Sequence, residues 1–371
     1  MRVGVPAETR PHERRVALVP DGVKKLKAAG CEVLLQRGAG MSAYLTDAEF
    51  EAAGATMVGS AAEALGADLV LKVQRPTLEE IGQLREGAAL VSFLAPAASA
   101  DLLAALAQRK VTAFAMELVP RSTKAQSMDA LSSQATIAGY KAVLVGADAM
   151  GRILPMLTTA AGTLAPAKVF VVGAGVAGLQ AIATARRLGG IVSAFDVRAA
   201  VREQVQSLGA TFVEVAAMEG EGEGEGGYAK ELAEEQQRRV VEGVGAHAKG
   251  QDLIVTTAQI PGRPAPKLIT ADAVRAMKPG SVIVDLAGES GGNCDLTKFG
   301  EVVTVGGVTI LSPVNLPAGV PLHASQMYGR NVLTFVTYVL KDGALQLDLS
   351  DPITGPMCVT HAGTLRTGKA A

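Results

Sequence analysis

Short apolar runs alternate with amphipathic stretches along the first third of the chain. Val3-Gly-Val, Glu32-Val-Leu-Leu, Leu69-Val-Leu-Lys-Val, Ala89-Leu-Val-Ser-Phe and Val111-Thr-Ala-Phe-Ala have the length and composition of buried strands. Between them, Asp21 to Ala29, Thr46 to Ala53 and Ser99 to Arg109 carry apolar residues at helical spacing. Strands that alternate with helices in this way predict a parallel sheet. A long helical stretch, Asp129 to Leu157, leads to a second series. It runs Lys168-Val-Phe-Val-Val, Ile191-Val-Ser-Ala-Phe, Thr211-Phe-Val-Glu-Val, Leu253-Ile-Val-Thr-Thr, Ser281-Val-Ile-Val-Asp and Val308-Thr-Ile-Leu. Tyr328 to Leu340 then reads as a helix that returns the chain to the first domain. The expected fold is α/β: two doubly wound parallel-sheet, Rossmann-like domains, the second inserted into the first. Residues 1–133 and 318–371 form the first domain and residues 134–317 the second.

Chemistry enters at the first strand of the second series. Val169-Phe-Val-Val-Gly173-Ala-Gly175-Val-Ala-Gly178 gives a strand, the spacing G-x-G-x-x-G and a helical stretch, Leu179 to Leu188. The next strand ends in Asp196, 18 residues after Gly178. In a dinucleotide site, Gly173 permits the tight turn, Gly175 lets a pyrophosphate approach the backbone, and Gly178 lets helix pack on strand. The helix start offers free N–H groups and a positive dipole end to phosphate. Asp196 can accept from both ribose hydroxyls and repels a 2′-phosphate, which favours NAD over NADP. Arg198 is the kind of residue that meets a 2′-phosphate, but the carboxylate dominates. Gly220-Glu-Gly-Glu-Gly-Glu-Gly-Gly227 has almost no intrinsic order. It reads either as a solvated linker or as a lid over a ligand, with Tyr228 at its edge.

Composition narrows the classes. The chain has 371 residues, 49% of them hydrophobic, and 35 basic against 36 acidic side chains, so it is a globular protein and not a disordered one. A net charge of -1, with 4% aromatic residues and no Trp, supplies neither the field nor the stacking rings of a nucleic-acid binder. Cys31, Cys294 and Cys358 are odd in number and far apart, which implies no disulfide framework. With His12, His247, His323 and His361 they form no zinc spacing, and no metal site is expected. Glu8, Arg10 and Glu13 stand where a signal peptide needs its apolar segment. The longest apolar runs, Ile153 to Ala167 and Val169 to Ala185, are interrupted by prolines and glycines, and both read as buried elements, not membrane spans. The expected address is the cytoplasm.

With these residues in view, the chain resembles the alanine dehydrogenase and nicotinamide nucleotide transhydrogenase superfamily over nearly its whole length. Gly4-Val-Pro-Ala-Glu-Thr-Arg-Pro-His-Glu-Arg-Arg-Val-Ala-Leu-Val-Pro20 and Lys72-Val-Gln-Arg-Pro76 resemble its shared signatures. Glu117-Leu-Val-Pro-Arg121 with Ala125-Gln-Ser-Met-Asp129-Ala-Leu-Ser-Ser-Gln134 resembles more narrowly the NAD-binding domain of proton-translocating transhydrogenase. So do Asp196-Val-Arg, Gly227-Tyr228-Ala-Lys, Ile260-Pro-Gly-Arg-Pro-Ala-Pro266 and Gly291-Gly-Asn-Cys294.

The resemblance implies that Arg121 and Ser132 orient the nicotinamide carboxamide, that Gln126 bridges to the facing nucleotide, and that Asp129 holds Arg121. A plainer reading makes the same segment a polar turn with Asp129 or Ser127 as the cap of the following helix. Lys124 stands where relatives commonly have arginine. The resemblance adds Val176, Val197, Ala258, Gln259, Gly227 and Tyr228 to Gly173, Gly175, Gly178, Asp196 and Arg198 as residues that hold NAD(H). An alanine dehydrogenase is expected to grip its substrate with Arg15 and Lys72 and to use a histidine where this chain has Ala95. Glu289 replaces that family's aspartate. Amino-acid oxidation needs an acid/base, whereas hydride exchange between two nicotinamides needs none. Arg15 and Lys72 therefore read first as buried, paired cations.

The resemblance implies a soluble subunit of a membrane-bound NAD(P) transhydrogenase, itself without a membrane span. It would bind NAD(H) and exchange hydride with NADP(H) on a partner subunit, while transmembrane subunits couple this to proton translocation. A homodimer associated peripherally with the inner membrane is expected. Because the sequence stops at Ala371, the membrane and NADP-binding parts are expected on separate polypeptides. The alternatives are an NAD-dependent amino-acid dehydrogenase and a non-enzymatic NAD-responsive regulator.

Overall fold

Uncharged runs such as Leu253-Ile-Val-Thr suit strands covered on both faces, and that is where the chain puts them. The computed structural model describes residues 1–215, 234–260 and 263–366. They divide into two units, Met1–Gln134 with Pro317–Ala371, and Ala135–Leu316.

In the first unit, the described residues form an eight-stranded sheet. Its six parallel strands run in the order Thr56–Val58, Glu32–Gln36, Arg2–Val5, Leu69–Leu71, Ala89–Ser92, Thr112–Ala115. Cys358–His361 and Thr364–Leu365 extend the far edge antiparallel. Thr46, Ser60 and Thr77 each begin a helix with a reciprocal capping box, closed by Glu49, Glu63 and Glu80. Two of these helices, Ala61–Leu65 and Leu78–Gln83, are too short to show periodicity in the sequence. Helix Pro321–Val339 begins seven residues before the expected Tyr328 and buries Tyr328, Phe335 and Val336. It ties to the sheet through Tyr328 Oη, which donates to the Lys72 carbonyl at 2.7 Å.

The second unit holds a seven-stranded sheet among the described residues. Thr211–Phe212, Ile191–Phe195, Lys168–Val172, Leu253–Thr256, Val282–Asp285 and Val308–Leu311 are parallel in that order, and Val302–Val305 pairs antiparallel at the edge. Both sheets have the doubly wound order, in which neighbours of one central strand lead in opposite directions.

The long helix departs from expectation: it spans Ala130–Ala149 and does not reach Leu157. Gly151 and Pro155 follow it, and proline disfavours helical backbone at the residue before it as well as breaking the hydrogen-bond ladder. Leu157–Thr159 and Gly162–Leu164 instead pair as an antiparallel hairpin, with Gly162 at φ +119°. The Ile153-to-Ala167 run is therefore largely exposed, not buried: Met156, Leu157 and Leu164 are 64%, 45% and 55% accessible. Among the described residues, no helix is long and apolar enough to cross a membrane.

Candidate functional site

In the second unit the sheet order reverses around Lys168–Val172, and ligands of such sheets bind at the carboxyl ends of the strands beside the reversal. The three glycines follow immediately, each with a different geometry. Gly173 sits at φ +97°, and a Cβ there would lie 2.7 Å from Thr257 Oγ1. A Cβ on Gly178 would lie 1.9 Å from the Gly173 carbonyl oxygen, so helix Val176–Arg187 packs on the turn at a distance only glycine allows. A Cβ on Gly175 would meet nothing within 4 Å. That is a backbone opening in front of a helix start that no side chain caps. A nucleotide pyrophosphate fits such a cradle, since its oxygens accept from the N–H groups that the opening leaves uncovered.

The next strand, Ile191–Phe195, stops one residue short of the expected Asp196, which follows it directly and is 7% exposed. Its Oδ1 accepts from Arg198 N and Nε, both at 2.9 Å, and its Oδ2 from Ala174 N at 2.7 Å and Arg198 Nη2 at 2.8 Å. Four donors occupy the roughly four acceptor positions of a carboxylate. Residue spacing does not reveal this pairing of Asp196 with Arg198. Val176 is exposed and Val197 partly so.

The third strand end carries Ala258 and Gln259, and behind them lies a support that sequence reasoning missed. Asn293, fully buried, donates from Nδ2 to the Ala258 carbonyl at 2.8 Å and accepts on Oδ1 from Ala258 N at 3.0 Å. Asp285, 1% exposed, holds Asn293 N, Cys294 N and Thr297 Oγ1 on Oδ2, and Thr256 Oγ1 and Ala287 N on Oδ1. The Gly291-Gly-Asn-Cys294 motif was the available signal, because Gly292 at φ +80° brings this loop onto Asp285. Gln259 is exposed, and its Nε2 donates to the Leu286 carbonyl. Gly227, Tyr228, Pro261 and Gly262 lie outside the described residues.

In the first unit the segment after Thr112–Ala115 forms a polar loop pinned by two buried side chains, Ala125 and Met128. Arg121, Lys124, Gln126 and Ser127 are exposed on it. Asp129 caps the helix Ala130–Ala149: its Oδ1 accepts from Ser132 N at 2.8 Å and its Oδ2 from Ser132 Oγ at 2.5 Å. Lys124 Nζ donates to Tyr338 Oη at 2.9 Å, and Tyr338 Oη donates to Asp351. The cap and the exposed polar display coexist, so the plainer reading of Asp129 is observed and leaves Arg121 and Gln126 facing outward.

Arg15 and Lys72 belong to a buried charge cluster at the carboxyl ends of Arg2–Val5 and Leu69–Leu71. Arg15 pairs with Glu13 at 2.6 Å and donates to Gln134 at 2.7 Å. Lys72 pairs with Glu80 at 2.8 Å and Glu8 at 3.4 Å. Burial pushes the Glu8 carboxyl up against the pull of Lys72. Burial alone would raise Glu13 too, but the Arg15 hydrogen bond and charge, with help from Gln74, hold it at about 2. Ala95 sits at φ +47°, and its N–H and that of Leu94 donate to Glu117 Oε1. Burial raises the Glu117 carboxyl.

The family model described as alanine dehydrogenase/PNT, N-terminal domain, matches residues 4–138, and its C-terminal counterpart matches residues 142–368. The first of the polypeptides that make up the NAD(P) transhydrogenase subunit alpha of Rhodospirillum rubrum is 49% identical over 375 residues, covering 98% of this chain and 97% of its own length. The crystal structure of a transhydrogenase from Sinorhizobium meliloti is similar with a TM-score of 0.90 and 46% identity, over 99% of this chain and 100% of that one. An alanine dehydrogenase of Mycobacterium tuberculosis is 34% identical over 379 residues, covering 100% of this chain and 96% of its own. The chain belongs to the alanine dehydrogenase/PNT family. Within it the chain is an oxidoreductase subunit, more similar to the transhydrogenase alpha subunit than to the dehydrogenase.

Proposed function

We propose that this chain is the NAD(H)-binding subunit of a proton-translocating NAD(P) transhydrogenase. It acts as a homodimer at the inner membrane, and passes hydride between NADH and NADP+ held on a partner subunit. Gly173, Gly175, Val176 and Gly178 hold the pyrophosphate, assisted by Gly227 and Tyr228. Asp196, Val197 and Arg198 take the adenosine ribose, and Ala258 and Gln259 the far end of the dinucleotide. Bound NADH supplies the hydride; the chain's own residues bind and orient it. Arg121, Gln126, Asp129 and Ser132 position the nicotinamide end and the facing nucleotide.

The observation that carries this reading is Ala95. Oxidising an amino acid requires a group that takes a proton from the substrate. At the position where the dehydrogenase resemblance expects a histidine there is a methyl group, and the neighbouring Glu117 is turned onto the backbone of Leu94 and Ala95. Arg15 and Lys72 are 4% and 1% exposed and already paired with acids. Hydride transfer between two rings asks only for proximity and orientation, and a displacement of about 1 Å can cost on the order of a hundredfold in rate. Gln126→Asn retracts the amide by one methylene. We expect stopped-flow hydride transfer to slow about 10–100-fold while NADH affinity stays within about threefold. Equal losses in both would refute a positioning role.

A further inference from the structure

Beside the Arg121–Ser132 loop, an open hollow of about 440 Å³ lies between the loop, helix Pro20–Ala28 and helix Pro321–Val339. It has the size of a small-molecule site, and none of the roles assigned above uses it. Two cations reach it from different helices, Lys25 and Arg330. Both are exposed, and neither makes an ion pair among the described residues. No acidic side chain lines the hollow. In a protein of net charge -1, two uncompensated cations facing one hollow are a local feature and not the overflow of a basic surface.

The remaining lining specifies more than charge. Ser133 Oγ donates to the Asp129 carbonyl at 3.1 Å and Thr334 Oγ1 to the Arg330 carbonyl at 2.8 Å, so both hydroxyls meet a ligand as acceptors. Asn331 is 7% exposed; its Nδ2 donates to the Ser127 carbonyl at 2.9 Å, and its Oδ1 has no partner. Met327 and Leu333 supply an apolar wall. The complement is a dianion that also carries hydroxyl donors on a short carbon skeleton. From this geometry we infer a binding site for a small phosphate monoester, its phosphate between Lys25 and Arg330 and its hydroxyls toward Ser133 and Thr334. Phosphate favours this pair because a charged acceptor bound by ammonium and guanidinium forms the stronger class of hydrogen bond. The site does not depend on the role proposed for the loop.

The test is calorimetric titration of the full chain, with excess NADH present to occupy the glycine cradle. Glycerol 3-phosphate and inorganic phosphate are the two probes, each against chloride at matched ionic strength. Saturable binding is expected, weakened at least about tenfold in Lys25→Ala and in Arg330→Ala, with melting temperature and NADH affinity unchanged. Tighter binding of the ester assigns the hydroxyl contacts; equal binding of the two probes supports the cation pair but overturns those contacts. Absence of saturable binding, or wild-type affinity in both variants, overturns the site. Because the comparison is between wild type and these variants, it still reads out if NADH itself does not bind.

Discussion

Gly173, Gly175 and Gly178 are one residue type used for three physical reasons, and the differences predict different failures. Gly175→Ala adds a methyl into open space at φ -73°, so the fold tolerates it. If pyrophosphate occupies that space, NADH affinity should fall at least about tenfold while denaturant stability stays within about 0.5 kcal/mol. Unchanged NADH titration would remove Gly175 from the cradle. Gly178→Ala instead drives its methyl into the Gly173 carbonyl and should cost about 1–3 kcal/mol of stability, read by urea unfolding. Glu13 couples stability to pH. Its folded value of about 2 lies below its ordinary 4.5, so its contribution is complete above pH 4.5 and is lost as pH falls through about 2. Glu13→Gln should therefore lower stability at pH 7 by on the order of 3 kcal/mol, and the gap to wild type should close on acidification toward pH 2. A gap independent of pH contradicts this assignment.

At the scale of elements, buried strands were legible because a strand covered on both faces is a continuous apolar run, as in Val282–Asp285. Of the edge strands, Thr211–Phe212 was read, but two others were not: Val302–Val305 has an exposed–intermediate pattern, and Thr56–Val58 is three residues long. The short helices Ala61–Leu65 and Leu78–Gln83 are marked by their capping boxes, not by periodicity. The Ile153-to-Ala167 segment misled because apolar content alone does not distinguish a buried stretch from an exposed one. Leu157 lies directly opposite Leu164 in the hairpin, a cross-strand apolar pair open to solvent. If the proposed homodimer covers it, Leu164→Asp should yield a folded monomer by light scattering. A dimer of wild-type mass in that variant would clear the hairpin of any role in association.

For the whole molecule, the two doubly wound sheets could be read from the alternation of strands and helices, and the tight turn into helix Val176–Arg187 from the glycine spacing. What spacing could not show is how side chains answer one another: Arg198 closing the Asp196 carboxylate, or Asp285 and Asn293 bracing Ala258. The role proposed for the loop rests on the family resemblance, since an exposed polar turn and a helix cap look alike in sequence. On the function proposed, this chain presents NADH for direct hydride transfer to a nucleotide on another polypeptide. The most direct test is rapid mixing of the NADH-loaded chain with a partner subunit carrying an oxidised NADP analogue whose reduced form absorbs at its own wavelength. A single-turnover burst is expected in which analogue reduced equals NADH consumed, with no L-alanine oxidation by the chain and NAD+. No burst, together with alanine-dependent NAD+ reduction, would contradict the function proposed.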